Sequence, residues 1–245
     1  MNMSNVQLSL FSENELAKMI SPAYSRTRNR IEWELRKERL GAVRADLSKD
    51  LKLTDEGCPI LNPYFGIPEG SLIDFKEAFT SDSLDKWGHF FIDDVFFEQL
   101  WNPKYTERDI RVLLKFKGIF TPDFTLDPRM SLWQEQFNVF RSRAIGQIVQ
   151  RRGGNVIPTV GWSFRRSFDF CFLGLSEGGT IAISTNGVRD KLISLRMFCE
   201  GVFELERQLR PEIIFIYGAQ IELQTKALQI WHPNIHISRL RSLNK

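Results

Sequence analysis

Over most of the chain, apolar residues come in short unbroken runs separated by longer stretches in which they recur periodically. The runs are HFFID (89–93), GIFTP (118–122), NVIPTV (155–160), TIAIST (180–185) and EIIFIYG (212–218), with NIHIS (234–238) a further candidate. Runs apolar at consecutive positions suit the strands of a parallel sheet covered on both faces; a sheet with one wet face would alternate instead. Between the runs, Leu132, Trp133, Phe137, Phe140, Ala144 and Ile148 share one helical face. Leu192, Leu195, Phe198, Val202, Leu205 and Leu209 share another, and Pro211 stops that helix. Strands recur at intervals of about 25–35 residues, the size of a β-α unit. The pattern predicts an α/β domain: a mostly parallel sheet of five or six βα units, either incomplete and barrel-like or open and doubly wound.

The first part of the chain reads differently. Between Ser12 and Asp55 the only aromatic residues are Tyr24 and Trp33. Ser12 with Glu15 makes a capping box, and Pro22 bars helix beyond Ser21. Ile31, Leu35, Leu40, Val43 and Leu47 then recur at spacings that predict an amphipathic helix. The stretch CPILNPYFGIPEG (58–70) is turn-rich. An N-terminal helical arm over 1–59 and an α/β domain over 60–245 are therefore expected.

Composition narrows the classes. The 245 residues are 42% hydrophobic and 26% charged, which is globular and excludes a wholly disordered chain. No apolar run approaches the roughly 20 residues of a membrane span. The N-terminus lacks a cationic start followed by an apolar stretch, so no secretory signal is expected. Cys58, Cys171 and Cys199 are far apart and form no C-x-x-C pair, which argues against a disulfide framework or structural zinc. A cytoplasmic protein without membrane contact is the expectation. The net charge of +3 is too small to imply nucleic-acid binding by itself.

Three features carry candidate chemistry. Gln7-Leu8-Ser9-Leu10-Phe11 resembles the pentapeptide by which many bacterial replication, repair and plasmid proteins bind the sliding clamp. An extended tail can seat Leu10 and Phe11 in an apolar groove while Gln7 hydrogen-bonds at one end. The competing local role is a hydrophobic staple between Phe11 and Leu16, which accounts for Phe11 but not for Gln7, Leu8 or Leu10.

The second feature is charge. Residues 141–166 hold six arginines and no acidic residue. Arg151 and Arg152 precede a predicted strand and Arg165 and Arg166 follow it, so the pairs sit about 17–20 Å apart. Only Arg165 and Arg166 fall at the carboxyl end, where α/β sheets bind ligands, and phosphate contact is their candidate role. Arg141 and Arg143 are expected on a helix packed outside the sheet. Arg26, Arg28 and Arg30 form another basic cluster in the arm.

The third feature is polar residues at strand carboxyl ends: Asp93, Asp94, Asp123, Thr159, Trp162, Thr185, Asn186, Gly187 and Tyr217. Asp94, Asp123, Trp162 and Thr185 are predicted to face one cleft there. Asp94 and Asp123 are the candidate catalytic pair and can hold Mg²⁺ through oxygen ligands. Thr185, Asn186 and Gly187, ahead of a helix, can bind phosphate through backbone N–H groups. The competing structural roles are a helix cap for Asp94 and turns for Asp123 and Asn186-Gly187. His232 and His236 are separated by a helix-breaking Pro233-Asn234, and His89 stands alone. No G-x-S-x-G, Walker A loop or G-x-G-x-x-G occurs.

The runs FFIDDVFFEQLW, FKGIFTPDFTL, NVIPTVGW, SFDFCFLGL, TIAISTNGV and IIFIYG, together and in this order, resemble a domain-of-unknown-function family of bacterial, phage and plasmid proteins over residues ~60–220. The resemblance implies a mobile-element setting and brings no catalytic residue. Three function classes stand open. The first is a mobile-element protein that docks on the bacterial sliding clamp and acts at or near replicating DNA. The others are a metal-dependent phosphoester- or nucleotide-processing enzyme and a non-catalytic interaction protein.

Overall fold

The computed structural model describes residues 50–82, 85–188 and 192–232, together with Arg44 and Leu47. Gln7–Phe11, the arm helices, Arg26, Arg28, Arg30 and the 234–238 run lie outside the described residues. The chain divides into two compact units, 1–46 and 47–245. The second begins ahead of the composition change near residue 60, because Leu51, Cys58 and Leu61 are buried in it.

Seven strands are described in the second unit: β1 (Ser71–Asp74), β2 (Lys86–His89), β3 (Gly118–Phe120), β4 (Val156–Ile157), β5 (Thr180–Ser184), β6 (Ile213–Tyr217) and β7 (Leu228–His232). Three helices accompany them: α1 (Thr106–Leu113), α2 (Leu132–Arg151) and α3 (Leu192–Leu209). Every pairing is parallel, in the order β1-β2-β3-β4 in one sheet and β5-β6-β7 in the other. A single parallel bridge between Thr159 and Ala182 joins the two. There Val160 N donates to Ala182 O and Ala182 N to Pro158 O, both at 2.8 Å. Pro158 has no N–H to extend this ladder, which keeps the junction short.

Strand order follows chain order without reversal. A doubly wound sheet needs a reversal at its switch point, so the barrel-like alternative is the one adopted. The sheet is not closed, since β1 and β7 have no further strand partner among the described residues.

Three strands lie off their expected places: β1, β2, and β7, which spans Leu228–His232 ahead of the expected 234–238 run. β1 was hidden because SLID is brief and flanked by polar residues. β2 is Lys86–His89, so only His89 of the HFFID run is strand. Phe90 and Phe91 follow it as buried loop, at 1% and 4% exposure. A lysine and a glycine in the strand, and two phenylalanines after it, displaced the apolar signal towards the carboxyl side.

Successive side chains on a strand point to opposite faces, and both faces are covered. One carries Trp87, Phe120, Ile157, Ala182, Phe215 and Tyr217 in a single cluster. Trp87 lies over Gly118, where a Cβ would fall 2.4 Å from the indole ring. On the opposite face, Ile119 and Val156 pack with Ile110 of α1 and Ile145 of α2. Ile181, Ile183, Ile214 and Ile216 pack with Phe198, Val202 and Leu205 of α3. Each such side chain contributes about 1.5–3 kcal/mol when fully buried.

Helix α2 begins at a capping box: Ser131 Oγ accepts from Gln134 N and Gln134 Oε1 accepts from Ser131 N. Its buried surface extends nearly all round from Asn138 to Val149 and includes Arg141, Arg143 and Gln147. Arg143 and Gln147 serve carbonyls of the loops laid around the helix, and Arg141 donates to Asn138 Oδ1 and the Glu98 carboxylate. Gln147 Nε2 donates to Lys52 O and Ile60 O, and its Oε1 accepts from Lys52 N. Arg143, expected on a helix outside the sheet, is 2% exposed. Loop backbone cannot be buried without hydrogen-bond partners, and α2 supplies them.

Candidate functional site

The loops at the carboxyl ends of β2, β3, β4 and β5 enclose a cleft of about 880 Å³, within the range of small-molecule sites. Asp94, Asp123, Trp162, Asn186 and Gly187 line it. Thr185 sits among these loops but turns inward: it is 3% exposed, and its hydroxyl donates to Ala219 O at 2.9 Å.

Asp123 follows β3 through Thr121 and Pro122. Thr121 is fully buried, and its hydroxyl oxygen accepts from Thr159 N at 2.8 Å and from Ser142 Oγ at 3.2 Å. That stitching fixes where the chain leaves the sheet. Asp94 follows β2 and grips the same loop, accepting from Thr125 N at 2.9 Å and Thr125 Oγ1 at 3.0 Å. Helix capping falls to its neighbour: Asp93 Oδ1 accepts from Val95 N at 3.2 Å, at the start of the short 3-10 turn Asp94–Phe96.

The two carboxyls are electrostatically uneven. Asp123 is half-buried and makes no hydrogen bond among the described residues. Desolvation, and then the charge of Asp94, push its pKa up to about 7, against the opposing charge of Arg143. Burial also raises Asp94, although the two hydrogen bonds from Thr125 and the charge of Arg141 work against it. The charge of Asp94 thus adds to the cost of ionising Asp123.

Arg143 stands behind Asp123 and marks what the sequence concealed. Its Nη1 donates to Thr159 O and its Nη2 to Cys171 O, both at 2.9 Å, and its Nε to Leu173 O at 3.4 Å. A recess of about 10 Å³ lies among Asp123, Arg143 and Thr159. Thr159 is 3% exposed, and its hydroxyl has no hydrogen-bond partner among the described residues.

Trp162 forms another wall. Its Nε1 donates to Met197 O at 3.1 Å, and its ring lies 5.6 Å from that of Phe198, both on α3. A Cβ at Gly201 would fall 2.0 Å from the indole, so the helix accommodates the ring only because residue 201 is glycine. Beside it, Ser163 donates its hydroxyl to the fully buried Glu135.

The arginines expected to meet phosphate are occupied. Arg165 holds Glu200 with two nitrogens, at 2.8 and 3.0 Å. Hydrogen bonds from Arg165 and Arg196 keep the Glu200 carboxyl down at about 2. Arg166 pairs with Glu135 at 2.8 Å and donates to Met130 O. Neither arginine lines the cleft. In the turn after β5, Thr185 N donates to Tyr217 O, Asn186 N to Ser184 Oγ and Val188 N to Thr185 O. Of the amides expected to bind phosphate, those of Thr185 and Asn186 are therefore engaged within the fold.

Among the described residues no group of three or more His, Cys, Asp or Glu side chains is arranged to hold a metal ion. Asp94 and Asp123 offer two carboxylates, enough for Mg²⁺ only if waters or a ligand's oxygens complete the shell. No helix among the described residues is long and apolar enough to cross a membrane.

Residues 55–234 match the family model described as a domain of unknown function, DUF4417. The Gene 1 protein of Mycobacterium phage L5 is 38% identical over 130 residues, covering 53% of this chain and 56% of that protein. The Gene 1 protein of Mycobacterium phage D29 is 38% identical over 130 residues, covering 53% and 47%. The chain thus spans about half the length of these curated relatives. No solved structure matches it.

Proposed function

The chain belongs to the DUF4417 family, with relatives in phages, and from that premise we propose that its α/β domain is an acid–base domain acting on a ligand held in the cleft. One observation carries the reading: Asp123 lies at the carboxyl edge of a parallel sheet without a hydrogen-bond partner among the described residues, where burial and the charge of Asp94 push its pKa up to about 7. A carboxyl with that pKa is populated in both forms near neutral pH and can take up or deliver a proton. Asp94 is the tuning partner, held by Thr125. The test is a carbon-detected NMR titration of the Asp123 carboxyl in the unliganded protein. A midpoint near 7 supports the reading, and one near the ordinary value of about 3.9 overturns it.

The Gln7–Phe11 peptide supports a second element, recruitment. It would dock the protein on the bacterial sliding clamp and bring the cleft to replicating DNA in the cytoplasm. Retention on immobilised clamp should be lost with Leu10→Ala plus Phe11→Ala while thermal stability stays unchanged. Loss of folding in that double variant would favour the staple instead. Direct DNA contact by Arg165 and Arg166 requires their pairs with Glu200 and Glu135 to open. In the metal-dependent phosphoester variant of the enzyme reading, Asp94 and Asp123 would share Mg²⁺ with substrate oxygens.

A further inference from the structure

The cleft has an unusual charge balance. Asp93, Asp94, Asp123 and Asp127 line it, and among the described residues the one cation in its lining is Arg129. Arg129 is spent on Asp127 through two hydrogen bonds, at 2.7 and 2.8 Å. Asp93 caps its own turn and Asp94 is held by Thr125, which leaves Asp123 with acceptor capacity that no described protein donor fills. In the small recess that Asp123 also lines, the buried hydroxyl of Thr159 lacks a partner among the described residues. The nitrogens of Arg143 that could have reached these groups are aimed at three backbone carbonyls. Asp123 on the cleft wall, and Thr159 in the small recess that Asp123 also lines, therefore leave polar capacity for a donor from outside the protein.

The walls add a second requirement. Trp162 is fixed by Met197 O, and Phe164 at the rim is 43% exposed. Another wall residue, Phe124, already carries a cation on its ring: the Arg141 guanidinium stands 3.7 Å from the centroid. Aromatic faces next to carboxylates attract organic cations, and they repel the phosphates of an anionic ligand for the same electrostatic reason.

Resting on the acid–base reading of this cleft, we propose that its ligand is an organic cation, with an ammonium or guanidinium head beside Asp94 and Asp123 and an apolar body against Trp162 and Phe164. Two sources supply such a group, a free amine or a basic side chain of a peptide.

The full-length protein is titrated calorimetrically with phenethylamine, with the blocked dipeptide acetyl-Phe-Arg-amide, and with phenylethanol, adenosine monophosphate and Mg²⁺ alone. The expected result is at least tenfold tighter binding of one or both cations than of phenylethanol. Tighter amine or tighter dipeptide identifies the source. Asp123→Asn should weaken cation binding tenfold or more. Asp94→Asn, which keeps an acceptor for Thr125, provides a second variant should the first fail to fold. Equal binding of phenylethanol, tighter binding of the nucleotide or of Mg²⁺, or unchanged affinity in both variants overturns the proposal. An NMR midpoint near 7 with no cation bound removes this inference alone. A midpoint near the ordinary value removes the acid–base reading beneath it.

Discussion

Replacing Asp123 with asparagine should stabilise the protein at alkaline pH and leave it unchanged in acid. Asparagine keeps the shape of the side chain and removes its ionisation. The folded protein holds the Asp123 proton up to about 7, whereas the unfolded chain releases it at about 3.9. Between those values the native state binds more protons than the unfolded state, so native stability falls as pH rises. The contribution of the protonated carboxyl is fully present below about pH 4 and is lost once pH passes about 7. The interval corresponds to at most about 4 kcal/mol at 1.36 kcal/mol per pH unit. Coupling to Asp94 distributes part of this over both groups, so about 2–4 kcal/mol is expected at pH 8. For a unit of this size each kcal/mol moves Tm by about 2–4 °C. Melting curves by circular dichroism at half-unit steps from pH 4 to 8 should show Asp123→Asn and wild type coinciding at pH 4. They should then diverge to an advantage of about 5–15 °C for the variant. A difference independent of pH, or a variant less stable at pH 8, would refute the assignment of desolvation and Asp94 as the causes.

Arg143→Met should lower the denaturant midpoint by the equivalent of about 3 kcal/mol or more, because three buried carbonyls, of Thr159, Cys171 and Leu173, lose their donors. The same variant should raise the Asp123 midpoint further, since a neighbouring positive charge is gone. Gly201→Ala should displace Trp162, shift its fluorescence and cost about 1–3 kcal/mol by overpacking. Arg166→Ala should destabilise by about 3 kcal/mol because it strands the fully buried Glu135 carboxylate, whereas Arg165→Ala, on the surface, should leave the midpoint in place.

Much of the architecture was written in the chain itself. Apolar runs at GIFTP, TIAIST and EIIFIYG became β3, β5 and β6, because a strand buried on both faces must be apolar at every position. The 3.6-residue recurrence placed α3 and its carboxyl end at Leu209, with Pro211 beyond it. Asp94, Asp123 and Trp162 were legible as cleft residues because a parallel sheet collects its carboxyl ends on one edge. Strand order, the burial of α2 and the state of each charge were not legible. They depend on which loops meet, and that is set by contacts between residues far apart in sequence. Arg143 and Arg141 look like an exposed basic stripe until the carbonyls after β4 and the carboxylate of Glu98 arrive beside them. Arg165 and Arg166 look free until Glu200 and Glu135 approach from positions 35 and 31 residues away. Charge is a local property of the sequence, but its partner, its burial and hence its pKa are properties of packing. That is why Asp123 could be placed at the sheet edge from sequence alone, and why only its neighbours in the fold make it an acid that titrates near neutrality.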